Sequence, residues 1–344
     1  MIEINAGACP VTIGAGLLGR EPLPKGRKFL VTDGNVARAG WPARLGSDFA
    51  ATHLLTPGEQ HKTLAELERL TDALLDHNIE RGDLVVALGG GMVGDMAGLA
   101  AALVKRGCRL VQIPTTLLAM ADSAVGGKTA VNTRHGKNLL GMFKTPEAVL
   151  IDPDTLSTLP ATQLRAGYAE IVKYGLIGDA AFFAWCESHG RALVAGEEGA
   201  RLRAIETCVR AKLSYVRGDE RDTKGRRALL NFGHSFGHAV EAESGMAHGL
   251  AVAIGMAMAL RFSYGLGLCP AEDVARVTAH FAEIGLPTQP TGLDPAALQQ
   301  RMAQDKKAAD GRIRLVLAHG VGRAFLHEGI GPEALADFLA AETA

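Results

Sequence analysis

The sequence predicts two domains: an N-terminal α/β domain with a parallel sheet at residues 1–155, and a mainly α-helical C-terminal domain at residues 156–344. Three observations predict this division. The length of 344 residues exceeds the usual size of one domain. Short β-branched runs alternate with helical patterns in the first half. Long helical stretches with few strand signals make up the second half.

Four apolar runs predict buried parallel strands, because each is rich in β-branched residues and ends in Gly, Asp, Pro or Thr. The runs are KFLVTD (28–33), DLVVALGGG (83–91), RLVQIPTT (109–116) and AVLIDP (148–153). Between the first two lies a helical pattern that begins with a capping box of Thr63 and Glu66. Its leucines share one face: Leu64, Leu67, Leu70 and Leu74. A strand, a helix and a second strand in this order are typical of a parallel sheet.

Composition excludes several classes of partner. Lys and Arg number 36 against 37 Asp and Glu, and the net charge of −1 gives no reason to expect nucleic acid or an anionic membrane. The five cysteines include no CxxC pair, which argues against a disulfide framework or a cysteine zinc site. The N-terminus has no signal-peptide pattern, and no apolar run is long enough to span a bilayer. These features predict a soluble cytoplasmic protein.

A glycine motif follows the second predicted strand. Gly89, Gly91 and Gly94 satisfy GxGxxG between a strand and a helix, where backbone amides can approach a pyrophosphate. The motif alone is weak, because the usual acidic residue about 20 positions later is missing. Asp33, at the end of an earlier strand, is a substitute for the ribose contact, with Glu59 and Lys62 as further candidates. The alternative is a tight glycine turn with solvated loop charges.

A second glycine cluster, DSAVGGKTAVN, contains GKT but has Asp122 where a P-loop needs its first glycine. We therefore exclude a nucleoside triphosphate site. The segment is expected to present Lys128 and, a little later, Lys137 and Asn138 on a loop.

Three histidines stand close together in the apolar, glycine-rich segment at 229–255. His234 and His238 are four residues apart, so on a helix they share one face and can reach one metal ion. His248 follows beyond a glycine-containing turn that can bring it back. The group predicts a metal site, although spacing does not decide which two or three of the histidines bind.

An ion held by neutral imidazoles usually takes a carboxylate as well. Glu241 and Glu243 are near in sequence, whereas Glu170 lies on an apolar helical pattern where an unpaired carboxylate is costly. The alternative for Glu170 is an i,i+3 ion pair with Lys173.

Six segments in this order resemble the 3-dehydroquinate synthase family over nearly the whole chain: GGGMVGD, IPTTLLAMADSAVGGKTAVN, GKNLLG, AGYAEIVKYG, NFGHSFGHAVE and HGLAVAIGM. The resemblance implies an N-terminal Rossmann-like domain, a helical C-terminal domain and a homodimer. It implies NAD and a divalent metal, zinc or cobalt, as cofactors. The implied reaction converts a small phosphorylated sugar acid, 3-deoxy-D-arabino-heptulosonate 7-phosphate, to 3-dehydroquinate and phosphate in the shikimate pathway.

The resemblance also implies roles for individual residues. It makes Glu170, His234 and His248 the metal ligands and leaves His238 as a proton-transfer or substrate-contacting group. Arg106 is similar to an arginine donated across the dimer interface. The implied substrate-binding set is Lys128, Lys137, Asn138, Lys173, Lys212, Arg227, Asn231, Lys306 and Lys307. The implied NAD-binding set is Asp33, Asn35, Glu59, Lys62, Gly90, Gly91, Gly94, Asp95, Thr115, Thr116, Asp122, Lys128 and Lys137.

The implied chemistry is a transient oxidation by NAD, loss of phosphate, re-reduction, and an intramolecular aldol closure, so that net redox is zero. Closure of a cleft between the domains is expected to exclude water. One residue departs from the family pattern: His248-Gly249 is followed by Leu250 where the family usually has glutamate. The alternatives are another sugar phosphate cyclase, a metal-dependent polyol dehydrogenase, or a catalytically silent NAD-binding protein, the last disfavoured because the polar set is complete.

Overall fold

The structure, a computed structural model, describes residues 1–5, 9–46, 48–217, 226–305 and 313–343. Contacts between residues divide the chain into two compact units. The first comprises Met1–Pro160 and Arg201–Ser214, and the second comprises Ala161–Ala200 and Tyr215–Ala344. The sequence did not predict that Arg201–Ser214 belongs to the first unit. The division of the chain at residue 155 stays a prediction.

The first unit is built on a sheet. Its strands are β1 (Ile2–Ile4), β2 (Val11–Ile13), β3 (Lys28–Asp33), β4 (Ala51–Leu55), β5 (Leu84–Gly89), β6 (Arg109–Pro114), β7 (Lys128–Thr133), β8 (Gly136–Phe143) and β9 (Ala148–Ile151). Its helices are α1 (Gly34–Arg38), α2 (Trp41–Arg44), α3 (Leu64–Asp76) and α4 (Gly91–Leu103). Seven strands form one sheet in the order β1-β2-β9-β6-β5-β3-β4, while β7 and β8 form a separate antiparallel hairpin.

The four predicted strands are confirmed as β3, β5, β6 and β9, and each pairs in parallel with its neighbour among them. Strand β5 is buried at every residue. Val85 and Ala87 lie in one apolar cluster with α3 and α4, and Val86 lies in another with α1 and α2. Alternate residues of the strand therefore face opposite sides of the sheet, which is why the run has no polar residue.

Helix α3 begins where the sequence predicts. The Thr63 side chain accepts a hydrogen bond from the Glu66 amide at 3.2 Å. The Glu66 carboxylate does not complete a capping box, because it accepts from the Thr56 amide at 3.3 Å. Three of the four leucines are buried, but Leu64 is 52% exposed, so the predicted apolar face starts one turn later.

The second unit is mainly helical, as predicted. Its helices are α5 (Ala161–Gly178), α6 (Ala180–Ala195), α8 (His234–Ser244), α9 (His248–Gly265), α10 (Ala271–Ile284), α11 (Pro295–Asp305) and α12 (Pro332–Thr343). Helix α7 (Glu198–Val216) belongs largely to the first unit. A hairpin of β10 (Ile313–Ala318) and β11 (Ala324–Ile330), which the sequence did not predict, completes the second unit.

Two glycines allow the helices of the second unit to approach closely. A Cβ added to Gly249, in the first turn of α9, would lie 1.9 Å from the carbonyl oxygen of Ala166 on α5. A Cβ added to Gly255 would lie 2.0 Å from the carbonyl oxygen of Gly233, which precedes α8 with a φ of 76°. Any side chain at these positions would force the helices apart. The two glycines therefore allow α9 to pack closely against α5 in its first turn and against the residue before α8 further along the helix.

Within the described ranges, none of the helices combines the length and the apolar character that a bilayer span requires.

Candidate active site

Three side chains of the second unit converge on one point. Glu170 lies in the middle of α5, while His234 and His248 are the first residues of α8 and α9. The Nε2 atom of each imidazole lies 3.6 Å from Glu170 Oε1. All three candidate ligand atoms lie within 4.8 Å of one another. Two ligands about 2.1 Å from a tetrahedral zinc ion are roughly 3.4 Å apart, so the spacing fits a single ion.

The Glu170 carboxylate is suited to bind a cation. It is 1% exposed, and neither oxygen accepts a hydrogen bond of regular geometry. Lys173 Nζ lies 2.6 Å from Oε2, so the ion pair considered as an alternative also forms. Burial raises the pKa of Glu170, but the charges of Lys173, His234 and His248 outweigh it and hold the pKa well below the usual value. The carboxylate is therefore ionised at neutral pH, which is the form that binds metal.

Both imidazoles are oriented by a contact at the opposite nitrogen. His234 Nδ1 lies 3.2 Å from the carbonyl oxygen of Phe232, and His248 Nδ1 lies 3.0 Å from Glu241 Oε2. Since a carbonyl and a carboxylate only accept, Nδ1 carries the proton in each ring. Nε2 is then the nitrogen of each ring on the side of Glu170, and it can bind a metal ion when it carries no proton. The donor set and its orientation fit a zinc-type ion.

Charges around the two rings differ. Burial lowers the pKa of His234 to about 3, although Glu170 raises it. Burial also lowers the pKa of His248, but contacts with Glu170 and Glu241 outweigh this and raise it to about 9. In the protein without metal, His248 is therefore protonated at both ring nitrogens at neutral pH, and a metal ion that binds at Nε2 has to displace the proton there.

His238 stands beside the cluster without completing it. Its ring centroid lies 5.4 Å from that of His234 and 5.7 Å from that of His248. Among the described residues, Glu170, His234 and His248 form the group whose ligand atoms lie close enough together to hold one ion. This geometry agrees with the role of a neighbouring proton-transfer group, which stays a prediction.

Cations are buried close to these elements. Lys173 on α5 is 1% exposed, and Arg227, in the 3-10 turn Arg226–Asn231 just before α8, is 3% exposed. Asn231 ends the same turn. Lysine and arginine side chains at these positions bring positive charge to the elements that carry the cluster, and a guanidinium can hold a phosphate or a carboxylate, so this placement suits an anionic substrate. Lys306 and Lys307 lie outside the described residues.

The glycine motif of the first unit forms a small cavity at the start of α4. The lining residues are Gly89, Gly90, Gly91, Gly94, Asp95, Gln112, Pro114, Ala119, Ser123 and Ala124. A Cβ added to Gly90 would lie 2.9 Å from Thr116 Cγ2, and one added to Gly94 would lie 2.8 Å from Gln112 Oε1. Four predicted NAD-binding residues thus line one cavity at a helix N-terminus, where backbone amides attract phosphate.

A polar network links further predicted residues of the first unit. Lys62 is 3% exposed, and its Nζ lies 2.5 Å from both Asp95 Oδ2 and Asn138 Oδ1. Asn132 joins Glu59 and Asn138, since it donates to Glu59 Oε1 at 2.8 Å and accepts from the Asn138 amide at 3.1 Å. Asn132 was not among the predicted residues. It closes the quoted motif DSAVGGKTAVN, so the signal was present in the sequence.

Lys212 and Asp122 form a second pair in the first unit. Lys212 Nζ donates to the Asp122 carbonyl oxygen at 2.8 Å and also pairs with its carboxylate. Asp122 lies in a π-helical turn, Ala119–Ser123, a distortion that is frequent at functional sites. The pairing brings a predicted substrate residue and a predicted cofactor residue together.

The remaining predicted residues are more dispersed. Asp33 caps α1, where its Oδ1 accepts from the amides of Asn35 and Val36 at 2.7 and 3.1 Å. Thr115 is buried, and its backbone amide donates a hydrogen bond to the carbonyl oxygen of Gly89. Thr116 begins the next turn. Lys128, Lys137 and Arg106 are exposed. Lys128 and Lys137 lie in strands β7 and β8, so the expectation that a loop presents them was wrong.

The architecture is that of sugar phosphate cyclases. A 2-epi-5-epi-valiolone synthase from Streptomyces hygroscopicus subsp. jinggangensis, solved with NAD+ and Zn2+, matches with a TM-score of 0.88 and 32% identity, covering 96% of this chain and 95% of that one. A 2-deoxy-scyllo-inosose synthase solved with carbaglucose-6-phosphate, NAD+ and Co2+ matches with a TM-score of 0.85 and 27% identity, covering 97% and 96%. A probable glycerol dehydrogenase from Sinorhizobium meliloti, 18% identical with a TM-score of 0.64, shares the fold.

Sequence comparison narrows the class to one family. Family profiles described as 3-dehydroquinate synthase N-terminal and C-terminal match residues 52–166 and 167–308. The 3-dehydroquinate synthase of Caulobacter vibrioides is 51% identical, covering 100% of this chain and 98% of that protein. The 3-dehydroquinate synthase of Rhodospirillum rubrum is 49% identical, covering 94% and 90%. The chain belongs to the 3-dehydroquinate synthase family.

Proposed function

We propose that this protein is a 3-dehydroquinate synthase that converts 3-deoxy-D-arabino-heptulosonate 7-phosphate to 3-dehydroquinate and phosphate, with NAD+ and a zinc or cobalt ion. The observation that carries the proposal is the Glu170, His234 and His248 cluster in a chain that belongs to this family. The solved relatives with bound NAD+ and Zn2+ or Co2+ support the cofactors.

The cofactors divide the chemistry between them: when bound, NAD+ accepts and returns a hydride, and the metal ion polarises a substrate hydroxyl. Glu170, His234 and His248 hold the metal. His238, within 6 Å of both metal-binding imidazoles, moves the proton of the substrate hydroxyl.

The remaining residues bind and orient. The amides at the start of α4, beside Gly90 and Gly91, hold the pyrophosphate of NAD+. Lys62 keeps Asp95 and Asn138 in fixed positions. Lys173, Arg227 and Asn231 bind the phosphate and carboxylate of the substrate, because the two cationic side chains attract anions and the Asn231 amide can donate a hydrogen bond. We assign NAD+ to the domain at 1–155 and the metal and substrate groups to the domain at 156–344.

Another sugar phosphate cyclase is the second candidate, because the high TM-scores above belong to cyclases of other products. The two candidates differ in whether the substrate bears a carboxylate. The ratio of kcat/KM for the heptulosonate phosphate and for a sugar phosphate without the carboxylate separates them. A preference for the second substrate would contradict the proposal.

We also propose a cytoplasmic homodimer. All five cysteines lie in the described ranges and are free thiols, which suits a reducing compartment. The β7–β8 hairpin exposes four apolar side chains of β8, and a second copy would cover part of this apolar surface: Leu139, Leu140, Met142 and Phe143. Sedimentation at micromolar concentration is expected to give twice the mass of 36.1 kDa, and a monomer would contradict this assignment.

Metal removal tests the proposed function. Exhaustive chelation is expected to abolish phosphate release from the heptulosonate phosphate, because the substrate hydroxyl then has no ion to polarise it. One equivalent of zinc or cobalt per chain is expected to restore it. Phosphate release is measured by a coupled assay at each metal concentration, and full activity in the chelated protein would contradict the proposal.

A further inference from the structure

Glu241 is a buried carboxylate beside the candidate metal cluster. It lies in the last part of α8 and is 7% exposed. Its Oε2 lies 3.0 Å from His248 Nδ1, across the turn that joins α8 to α9. Burying a carboxylate is costly unless it is well bonded, so its presence at this depth calls for a compensating role.

The contact determines which nitrogen of His248 can bind a metal. A carboxylate only accepts, so it keeps the proton on Nδ1. Nε2, on the other side of the ring, lies 3.6 Å from Glu170 Oε1. His234 has a neutral acceptor in the corresponding place, the Phe232 carbonyl oxygen at 3.2 Å. Among these two imidazoles, His248 is therefore the one oriented by a negatively charged group, which makes an imidazole a stronger ligand.

We propose that Glu241 is a positioning residue for the metal: it orients His248 and strengthens it as a ligand through the Nδ1 contact. The inference rests on the proposed metal site of Glu170, His234 and His248. It assigns to Glu241 a role other than direct ligation, which the sequence had left open. The family usually has a glutamate two residues after the second histidine ligand, where this chain has Leu250. In this chain, Glu241 gives His248 a carboxylate partner.

Cobalt titration of the protein stripped of metal tests the inference, because bound Co2+ reports its ligands through visible absorption. Glu241→Gln keeps the shape of the side chain and removes its charge. We expect it to weaken Co2+ binding by about 10- to 100-fold and to change the visible spectrum. Glu241→Asp keeps the charge on a shorter side chain and is expected to recover part of the affinity.

Glu243→Gln is the matched control. Glu243 lies on the same helix but bonds to Arg301 at 2.7 Å, away from the imidazoles. We expect this variant to keep the wild-type dissociation constant for Co2+ and the wild-type spectrum. Circular dichroism of each variant separates loss of the metal site from loss of the fold. If Glu241→Gln does not fold, the Co2+ affinity and spectrum of Glu241→Asp test the positioning role.

The titration separates failure of the positioning role from failure of the proposed function. If the wild-type protein binds no Co2+, the metal site itself is wrong, and the inference fails with it. If the wild type binds Co2+ and both Glu241 variants match its dissociation constant and spectrum, the metal site stands and the positioning role is overturned.

Discussion

Glu170→Ala is expected to abolish zinc and cobalt binding and to stop turnover, because it removes the one carboxylate of the three-residue cluster. It is also expected to lower the free energy of unfolding by about 3–5 kcal/mol, because it leaves the Lys173 ammonium, 1% exposed, without the carboxylate 2.6 Å away. Denaturant unfolding measures the second effect, and metal titration with phosphate release measures the first.

A double variant separates these two effects. Glu170→Leu/Lys173→Met replaces both members of the buried pair by apolar side chains of similar size. Such replacements are often neutral for stability, so we expect most of the lost free energy of unfolding to return. Metal binding and turnover should stay absent. If Glu170→Ala still bound zinc with wild-type affinity, the assignment of Glu170 as a ligand would be wrong.

Arg227→Ala is expected to lower kcat/KM for the heptulosonate phosphate by roughly 10- to 150-fold. A guanidinium can hold a carboxylate through two parallel hydrogen bonds, and loss of a charge-assisted contact costs about 1.5–3 kcal/mol. Arg227 is 3% exposed and lies seven residues before His234, so its charge is placed close to the metal cluster along the chain. Zinc and NAD+ dissociation constants should change little, which also checks the fold.

Two comparisons sharpen this test. Arg227→Lys keeps the charge but not the two-pronged geometry, and we expect an intermediate loss. Arg191→Ala removes an exposed guanidinium, 77% accessible in its side chain, and should leave kcat/KM unchanged. Wild-type kinetics in Arg227→Ala would remove the argument for a substrate carboxylate and favour a sister cyclase.

The fold was predictable where burial leaves a pattern in the chain. Strands such as β5 are buried on both faces, and a continuous β-branched run reveals them. Strands β1 and β2 have three residues each, too few for a period to appear. Strand β8 exposes nearly all of its residues and so lacks an apolar alternation. Arg201–Ser214 belongs to the first unit because of its tertiary contacts, and the helical periodicity of the sequence does not reveal those contacts.

The site was predictable as a set of residues more than as a set of contacts. Spacing predicted that two or three of His234, His238 and His248 could meet at one ion, and family resemblance selected His234 and His248 together with Glu170. The structure brings the three together through close helix packing at Gly249, which spacing does not reveal. The contact of Glu241 with His248 also depends on the turn between α8 and α9. From sequence, Glu241 was one of three possible carboxylate ligands.

The most direct test follows phosphate and NADH together while the zinc-loaded wild-type protein acts on the heptulosonate phosphate in the presence of NAD+. Because the proposed reaction returns the hydride within each turnover, we expect phosphate in large excess over NADH. The absorbance of NADH should stay near its starting value throughout. One NADH formed for each phosphate, or NADH formed with no phosphate, would contradict the account and indicate a dehydrogenase.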